Sequence, residues 1–237
     1  PTKSENADIA WKFFNSDGSI AQMCGNGIRC FAKYVYKKGY VNKKEFSVET
    51  KAGIIIPKIL DDGRVKVNMG MPILEPQKIP VNVQNNLNFE ITVQNKTFTA
   101  NAVSMGNPHS VAFIEQDVEN FDLMKIGPVF ENHRAFPERV NAEFVNIIDR
   151  THIKVRVWER GSGETCACGT GACACVVAGV LNGLLEKEVF VEMKGGVLKV
   201  TWDEIENRVT LTGPAVTVFE GETRQVQMPY KFSEKSC

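Results

Sequence analysis

The sequence repeats itself once, and this duplication limits the fold more than any other feature. The stretches MCGNGIRC (23–30) and ACGTGACAC (167–175) align when Cys24 is laid on Cys168. The alignment continues into segments that alternate apolar and polar residues, a pattern typical of half-buried strands. These segments are 9–15 with 153–159 and, after one residue of slippage, 45–53 with 188–196. A repeat this long predicts two similar domains rather than a solenoid array.

Each copy reads as a strand, a polar loop, a Cys-Gly turn, a helix and two further strands. The first helix has an apolar stripe at helical spacing and leaves Arg29 outside it; the stripe comprises Ile28, Phe31, Ala32 and Val35. The second helix, residues 172–181, is apolar nearly all round and is expected to be buried. We therefore predict an α+β fold of two pseudo-symmetric, strand-rich domains, each wrapped around a central helix. The first domain would comprise 1–70 plus 214–237, without the opening strands of the second, 71–213.

Composition narrows the classes of protein to which the chain can belong. Lysine plus arginine number 28, as do aspartate plus glutamate, and this balance gives no support for binding nucleic acid or an anionic membrane. No apolar run is long enough to span a bilayer. The seven cysteines are odd in number and four of them lie between residues 166 and 175. This usage is unlike a disulfide scaffold and predicts free thiols in a reducing cytoplasm.

The two Cys-Gly turns are suited to acid/base chemistry. A cysteine just before a helix meets free backbone N–H groups and the helix dipole, which favour a thiolate and also bind a carboxylate. The glycines let a ligand approach closely, and Asn26 and Thr170 are residue types that cap helices. Inverting a carbon centre needs a base on one face and an acid on the other, which two thiols supply. Such a site would stabilise the charge left by an α-proton without pyridoxal phosphate.

Other roles for the cysteines remain open from the residues alone. The four cysteines between 166 and 175 are candidates for a zinc site, although their spacing differs from the usual Cys-x-x-Cys ribbons. A structural disulfide between Cys24 and Cys168 is a second option. We expect Cys30, Cys173 and Cys175 to be buried as small apolar residues.

Two polar stretches have no obvious structural need. MGNPHS (105–110) contains Asn107 and His109, and WERGSGET (158–165) contains Glu159 and Arg160 just before the second Cys-Gly turn. Each stretch also has an ordinary explanation, as a satisfied core or surface histidine and as an exposed ion pair.

With these residues in view, the chain closely resembles the diaminopimelate epimerase family. The motifs that carry the resemblance are NSDGSIAQMCGNGIRCFAKY, MGNPH and WERGSGETCACGTGACA. The resemblance implies a cofactor-free isomerase that interconverts LL- and meso-diaminopimelate, in lysine and peptidoglycan precursor biosynthesis. It also implies a site in the cleft between the two pseudo-symmetric domains.

The resemblance also implies roles for individual residues. Cys24 and Cys168 correspond to the two acid/base thiols, and His109 and Glu159 to the pair that tunes them. The backbone cradle for the reacting end comprises Gly25, Asn26, Gly169 and Thr170. The set that reads the distal amino-acid end comprises Asn15, Asn107, Asn146 and Arg160, and the arginine suits a carboxylate because it binds one bidentately.

The chain departs from the family pattern at its start. The family's opening block, with its His-Gly-Leu-Gly-Asn-Asp-Phe-like motif, does not occur in this sequence, and Cys175 stands where alanine is usual. Two alternatives are a proline or hydroxyproline racemase of the same fold, and a non-catalytic zinc or redox-thiol protein. The binding set argues against a proline or hydroxyproline racemase, because a small ring has no distal amino-acid end for its three asparagines and Arg160 to bind. A small molecule is the expected partner, and a homodimer is left open.

Overall fold

A computed structural model describes residues 1–14, 18, 20 and 24–222 of the chain. Its small sheet has three short strands: β1 (Ile9–Ala10), β2 (Val48–Thr50) and β3 (Gly53–Ile55). The strands of its large sheet are β4 (Pro57–Ile59), β5 (Val65–Gly70), β6 (Phe89–Val93), β7 (Lys96–Ser104), β8 (Pro108–Phe113), β9 (Asn141–Asp149), β10 (His152–Glu159), β11 (Gly163–Thr165), β12 (Glu188–Met193), β13 (Gly196–Asp203) and β14 (Arg208–Gly213). The helices are α1 (Gly25–Lys37), α2 (Leu123–Glu131) and α3 (Gly169–Leu181), with short 3-10 turns at Pro76–Lys78 and Val118–Asn120.

The large sheet runs through both copies of the duplication. Its strand order is β4-β5-β14-β13-β12-β10-β9-β8-β7-β6, and β11 pairs with β10. The pairs β8–β9 and β10–β12 are parallel, whereas the other pairs along this path are antiparallel. In the described residues the two sheets and three helices form the α+β class that the sequence predicts.

The strand pairing reproduces the duplication residue by residue. In the first copy β1 and β2 are parallel and Ile9 pairs with Val48, and in the second β10 and β12 are parallel and Ile153 pairs with Val191. The antiparallel neighbours agree as well: Val48–Ile55 corresponds to Val191–Leu198, and Pro57–Val67 corresponds to Val200–Leu211. The strands β3 and β4 together therefore correspond to the single strand β13.

The two copies meet at equivalent strands. The strand β5 pairs antiparallel with its own counterpart β14, and Val67 pairs with Leu211. These two residues align with each other in the duplication. An element that pairs with its own equivalent is the signature of a two-fold axis. The structure thus has a pseudo-two-fold axis at the Val67–Leu211 pair.

Each copy packs around its own helix. The apolar stripe of α1 is buried as predicted, but Arg29, which the sequence places outside the stripe, is also only 6% exposed. The helix α3 is buried along nearly its whole length, again as predicted. A further core lies between α2 and the end of the large sheet that contains β6 and β7. The division into domains at residues 70/71 and 213/214 stays a prediction.

The described residues contain no helix that is both long and apolar enough to cross a membrane.

Candidate active site

The two cysteines of the Cys-Gly turns are themselves the helix N-caps. The helix α1 begins directly after Cys24, whose Sγ accepts a hydrogen bond from the backbone N–H of Gly27 at 3.3 Å. The helix α3 begins after Cys168, whose Sγ accepts from the N–H of Gly171 at 3.4 Å. Asn26 and Thr170, predicted from residue type to cap the helices, lie inside the first turns instead. Each sulfur therefore lies where backbone donors and the helix dipole favour a negative charge.

The two helix starts contact each other. A Cβ atom added to Gly25 would lie 3.7 Å from Cα of Gly169, and one added to Gly169 would lie 3.5 Å from Cα of Gly25. The Asn26 side chain spans the junction, because its Nδ2 donates to the carbonyl oxygen of Ala167 at 3.2 Å. The two turns thus face each other across the pseudo-two-fold axis, as two thiols acting on one carbon require.

A cavity of about 410 Å³ opens between these turns. Its volume is in the range of small-molecule sites. Phe13 and Met105 form part of its apolar wall. The predicted site residues that line it are Cys24, Gly25, Asn26, Asn107, Glu159, Arg160, Cys168, Gly169 and Thr170.

His109 lies in a buried layer next to this cavity. Its Nδ1 is 2.7 Å from Oε1 of Glu143, and its Nε2 is 3.1 Å from Oδ1 of Asn107. Neither the His109 nor the Glu143 side chain has exposed surface. One side-chain atom each from His109, Glu143 and Cys168 lies within 4.8 Å of the others, and among the described residues these three form the group able to hold a metal ion. No motif in the sequence points to Glu143.

The surroundings of Cys168 oppose its ionisation. Burial raises the pKa of the Cys168 thiol well above its usual value, and the carboxylates of Glu159 and Glu143 raise it further. The N–H of Gly171 and the hydroxyl of Thr170, 3.4 Å from Sγ, act in the opposite direction. Burial also raises the pKa of Glu143, whereas His109 lowers it. The surroundings of Cys168 therefore favour its protonated form.

Asn141 is a second residue near the cavity to which no motif in the sequence points. Its Oδ1 accepts from the backbone N–H of Arg160 at 2.9 Å, and its Nδ2 donates to the carbonyl oxygen of Pro108 at 2.8 Å. The Asn141 side chain therefore connects the loop that contains Asn107 with the backbone at Arg160. The Arg160 side chain donates to the carbonyl oxygen of Glu138 at 2.9 Å.

Two members of the predicted substrate-binding set are not in the cavity. Asn15 lies outside the described residues. Asn146 lines a different groove, and its amide is occupied by backbone groups: Oδ1 accepts from Val118 N at 2.7 Å, and Nδ2 donates to the carbonyl oxygens of Ile114 and Gln116. Asn146 therefore lies apart from the cavity that the other predicted site residues line.

The remaining cysteines differ in exposure. Cys173 and Cys175 are buried, as predicted, whereas Cys30 is exposed, so its predicted burial is wrong. Cys166 is exposed as well, although Cys168, Cys173 and Cys175 are buried. All of these cysteines and Cys24 are free thiols.

Comparison with known sequences identifies the family. A sequence model of diaminopimelate epimerases matches residues 2–75 and 101–218. The chain belongs to the diaminopimelate epimerase family. A diaminopimelate epimerase of Acetivibrio thermocellus is 53% identical over 225 residues, covering 92% of this chain and 80% of the relative. One from Methanococcus maripaludis is 49% identical, covering 92% and 81%. Family membership makes the chain an isomerase that acts on a small molecule.

Solved structures share the fold at low sequence identity. A probable proline racemase from Agrobacterium radiobacter has a TM-score of 0.65 at 16% identity, covering 90% of this chain and 71% of that one. A hydroxyproline epimerase from Agrobacterium vitis has a TM-score of 0.64 at 14% identity, covering 90% and 70%. At these identities the likeness concerns the fold alone, and it confirms the predicted class. The catalytic and binding roles of the individual site residues in this chain stay predictions.

The close approach of Glu143 to α3 gives a testable expectation. A methyl group at position 171 would lie 2.6 Å from Oε1 of Glu143 and 3.3 Å from Cβ of Cys168. We expect Gly171→Ala to displace the cap and to lower kcat/KM by about 100-fold, the effect of a misplacement of about 1 Å. Gly221→Ala is the matched control, since its Cβ would meet only ordinary contacts at 3.7 Å. Unchanged kcat/KM in Gly171→Ala would show that this spacing does not matter.

Proposed function

We propose that this chain interconverts LL- and meso-diaminopimelate by proton transfer at the α-carbon, with Cys24 and Cys168 as the acid/base pair. The observation that carries the proposal is the pair of cysteine N-caps that face one cavity across the pseudo-two-fold axis. The names of the relatives supply the substrate. An enzyme with this activity would serve the biosynthesis of lysine and of peptidoglycan precursors.

The reacting end of the substrate binds between the helix starts. The first N–H groups of a helix have no partner within the helix, so those of Gly25, Asn26, Gly169 and Thr170 are available to the α-carboxylate. One thiolate removes the α-proton from one face, and the other thiol gives its proton to the opposite face. The N–H groups stabilise the negative charge on the carboxylate as the proton leaves. Both thiols exchange their protonation states in the course of one turnover.

The polar groups around the cavity have supporting roles in this scheme. Asn107 and Arg160 bind the distal amino-acid end, where the guanidinium pairs with a carboxylate. Asn15 is included in the same binding set because the resemblance of the chain to the family implies that role. His109 and Glu159 act on the thiols through charge and hydrogen bonding, which is supported by the effect of Glu159 on the pKa of Cys168.

Solvent isotope labelling tests the two-base scheme. In heavy water the deuteron on the product comes from the acid, which is not the group that removed the proton. We expect the product to gain deuterium at the inverted carbon, while the remaining substrate stays unlabelled early in the reaction. Mass spectrometry of both stereoisomers measures this. Equal early labelling of both pools would indicate a single base and refute the scheme.

Proline and hydroxyproline are the control substrates for the same assay. They share the α-amino-acid end but have no distal end for Arg160 to bind. We expect no epimerisation of either compound. A cytoplasmic location belongs to the proposal as an expectation from the sequence, whereas a homodimer stays open.

A further inference from the structure

The turn between β10 and β11 places Arg160 at the wall of the cavity. Residues 160–162 form this turn, and Gly161 and Gly163 adopt φ angles of 76° and 79°, in the left-handed region that favours glycine. Within the turn, the N–H of Ser162 donates to the carbonyl oxygen of Glu159 at 3.0 Å. Because the turn is short, the position of the Arg160 backbone depends on the elements against which the turn packs.

The helix α2 holds the strand that leads into this turn. Gly127 and Glu131 are four residues apart on α2 and therefore lie on the same face of the helix. A Cβ atom added to Gly127 would lie 2.5 Å from Cδ2 of Trp158, so the indole ring lies directly against the helix backbone. The Nε1–H of the same ring donates to Oε2 of Glu131 at 2.7 Å. The helix thus fixes both the place and the rotation of Trp158, two residues before Arg160.

The other oxygen of Glu131 holds the turn just after Arg160. Oε1 accepts from the backbone N–H of Gly161 at 2.9 Å and from Nη1 of Arg139 at 3.1 Å. The Glu131 residue is only 6% exposed, and hydrogen bonds that involve a charged group are stronger than those between neutral groups. A single buried carboxyl group therefore binds the chain on both sides of Arg160.

Arg139 connects Glu131 with the group that accepts a hydrogen bond from the Arg160 guanidinium. Nη1 of Arg160 donates to the carbonyl oxygen of Glu138 at 2.9 Å, and this carbonyl belongs to the peptide group that joins Glu138 to Arg139. Arg139 has a φ of 61°, which is uncommon for a residue other than glycine and helps to set the direction of that peptide group. Glu131 thus binds both the turn that contains Arg160 and the residue whose peptide group accepts from the guanidinium.

We propose that Glu131 is a positioning residue for substrate binding, which holds Arg160 so that its guanidinium meets the distal carboxylate of the substrate. This inference rests on the function proposed above, in which Arg160 binds the distal amino-acid end. A guanidinium has five N–H donors, and the contact with Glu138 uses Nη1, so donors remain for a carboxylate. In the described part of the chain Glu131 is not among the residues that line the cavity, and its effect on the substrate therefore passes through Arg160.

Glu131→Gln tests this role because it keeps the shape of the side chain and removes one acceptor. Three N–H groups meet the two carboxyl oxygens, whereas an amide has one acceptor oxygen and turns its NH2 group toward a donor. We expect KM for diaminopimelate to rise about tenfold while kcat stays within about threefold. The distal end does not change in the reaction, so its contacts are equal in the ground and transition states. Initial rates in both directions measure these constants.

A double-mutant cycle with Arg160→Ala separates positioning from general damage to the fold. If Glu131 acts through Arg160, Glu131→Gln adds nothing once the guanidinium is gone, and the double variant has the KM of Arg160→Ala within about twofold. A general structural defect would raise KM by the same factor in both backgrounds. Glu164→Gln is the matched control, because this carboxylate, 15% exposed on the neighbouring β11, contacts the side chains of Arg156 and Lys194 instead of the turn. We expect its KM to be unchanged.

A folded Glu131→Gln variant with an unchanged KM would overturn the inference, and so would an increase that persists in the Arg160→Ala background. Where Glu131→Gln does not fold, Trp158→Phe replaces it in the cycle, since it removes one donor to the carboxyl group. It should raise KM about threefold while Arg160 is present, and an unchanged KM there overturns the inference as well. These failures leave the proposed function intact. An unchanged KM in Arg160→Ala would instead refute the proposed role of Arg160, and this inference with it.

Discussion

Replacing Cys24 or Cys168 with serine will lower epimerisation by about 1,000-fold or more, the contribution of a general acid or base. A serine hydroxyl is a far weaker acid than a thiol and cannot supply either proton transfer near neutral pH. Because each variant keeps one thiol on one face, we expect one of the two to retain exchange of the α-proton of one stereoisomer with solvent. Polarimetry measures epimerisation, and NMR in heavy water measures exchange.

The control for these variants is Cys30→Ser. Cys30 lies on the same helix as Cys24 but is exposed. We expect normal epimerisation in this variant. Full activity in Cys24→Ser or Cys168→Ser would remove that residue from the proposed acid/base pair.

Mild oxidation with diamide will inactivate the enzyme completely and reversibly. The two thiols lose their protons and two electrons to the oxidant and form a Cys24–Cys168 disulfide. The contact between Gly25 and Gly169 holds the two caps together, and a disulfide requires Cα atoms within about 7 Å of each other. We expect dithiothreitol to restore activity and bound substrate to protect, since the substrate would separate the sulfur atoms.

Peptide mapping after oxidation identifies the linked pair. Cys30→Ser removes an exposed thiol and should be inactivated at the same rate. A linked pair within residues 166–175, with Cys24 left free, would contradict the expectation. That outcome would favour a redox role for the second cysteine cluster over the acid/base role.

The duplication predicted much of the fold because it constrains strand register. The sequence alignment of the two copies slips by one residue between the first and second strands. The strand pairing shows the same slip, because the pair Ile9–Val48 in the first copy corresponds to the pair Ile153–Val191 in the second. It also predicted that the two Cys-Gly turns belong together, which the cavity between Cys24 and Cys168 confirms. The motif residues around those turns lie in this cavity because they are close to the caps in sequence.

The sequence-based predictions differ from the structure where the burial of a side chain depends on distant parts of the chain. Asn141 and Asn146 lie five positions apart on one strand, so their side chains point to opposite faces, and only the fold shows which face meets the cavity. Glu143 lies on β9, which is buried between two cores, so the alternation that separates inner from outer residues is lost there. Arg29 is covered by the segment at Pro214, whose carbonyl oxygen accepts from its Nε.

The pseudo-two-fold axis at Val67 and Leu211 has a consequence for how such an enzyme can diverge. Two identical half-chains associated through this strand pair would present identical thiols, and their shared site would have no preferred direction. Joining the halves in one polypeptide lets each copy mutate alone. Position 29 of the first copy is an arginine whereas the aligned position of the second copy is Cys173, and two identical half-chains could not differ in this way. Covalent linkage therefore gives this site a polarity that symmetry forbids.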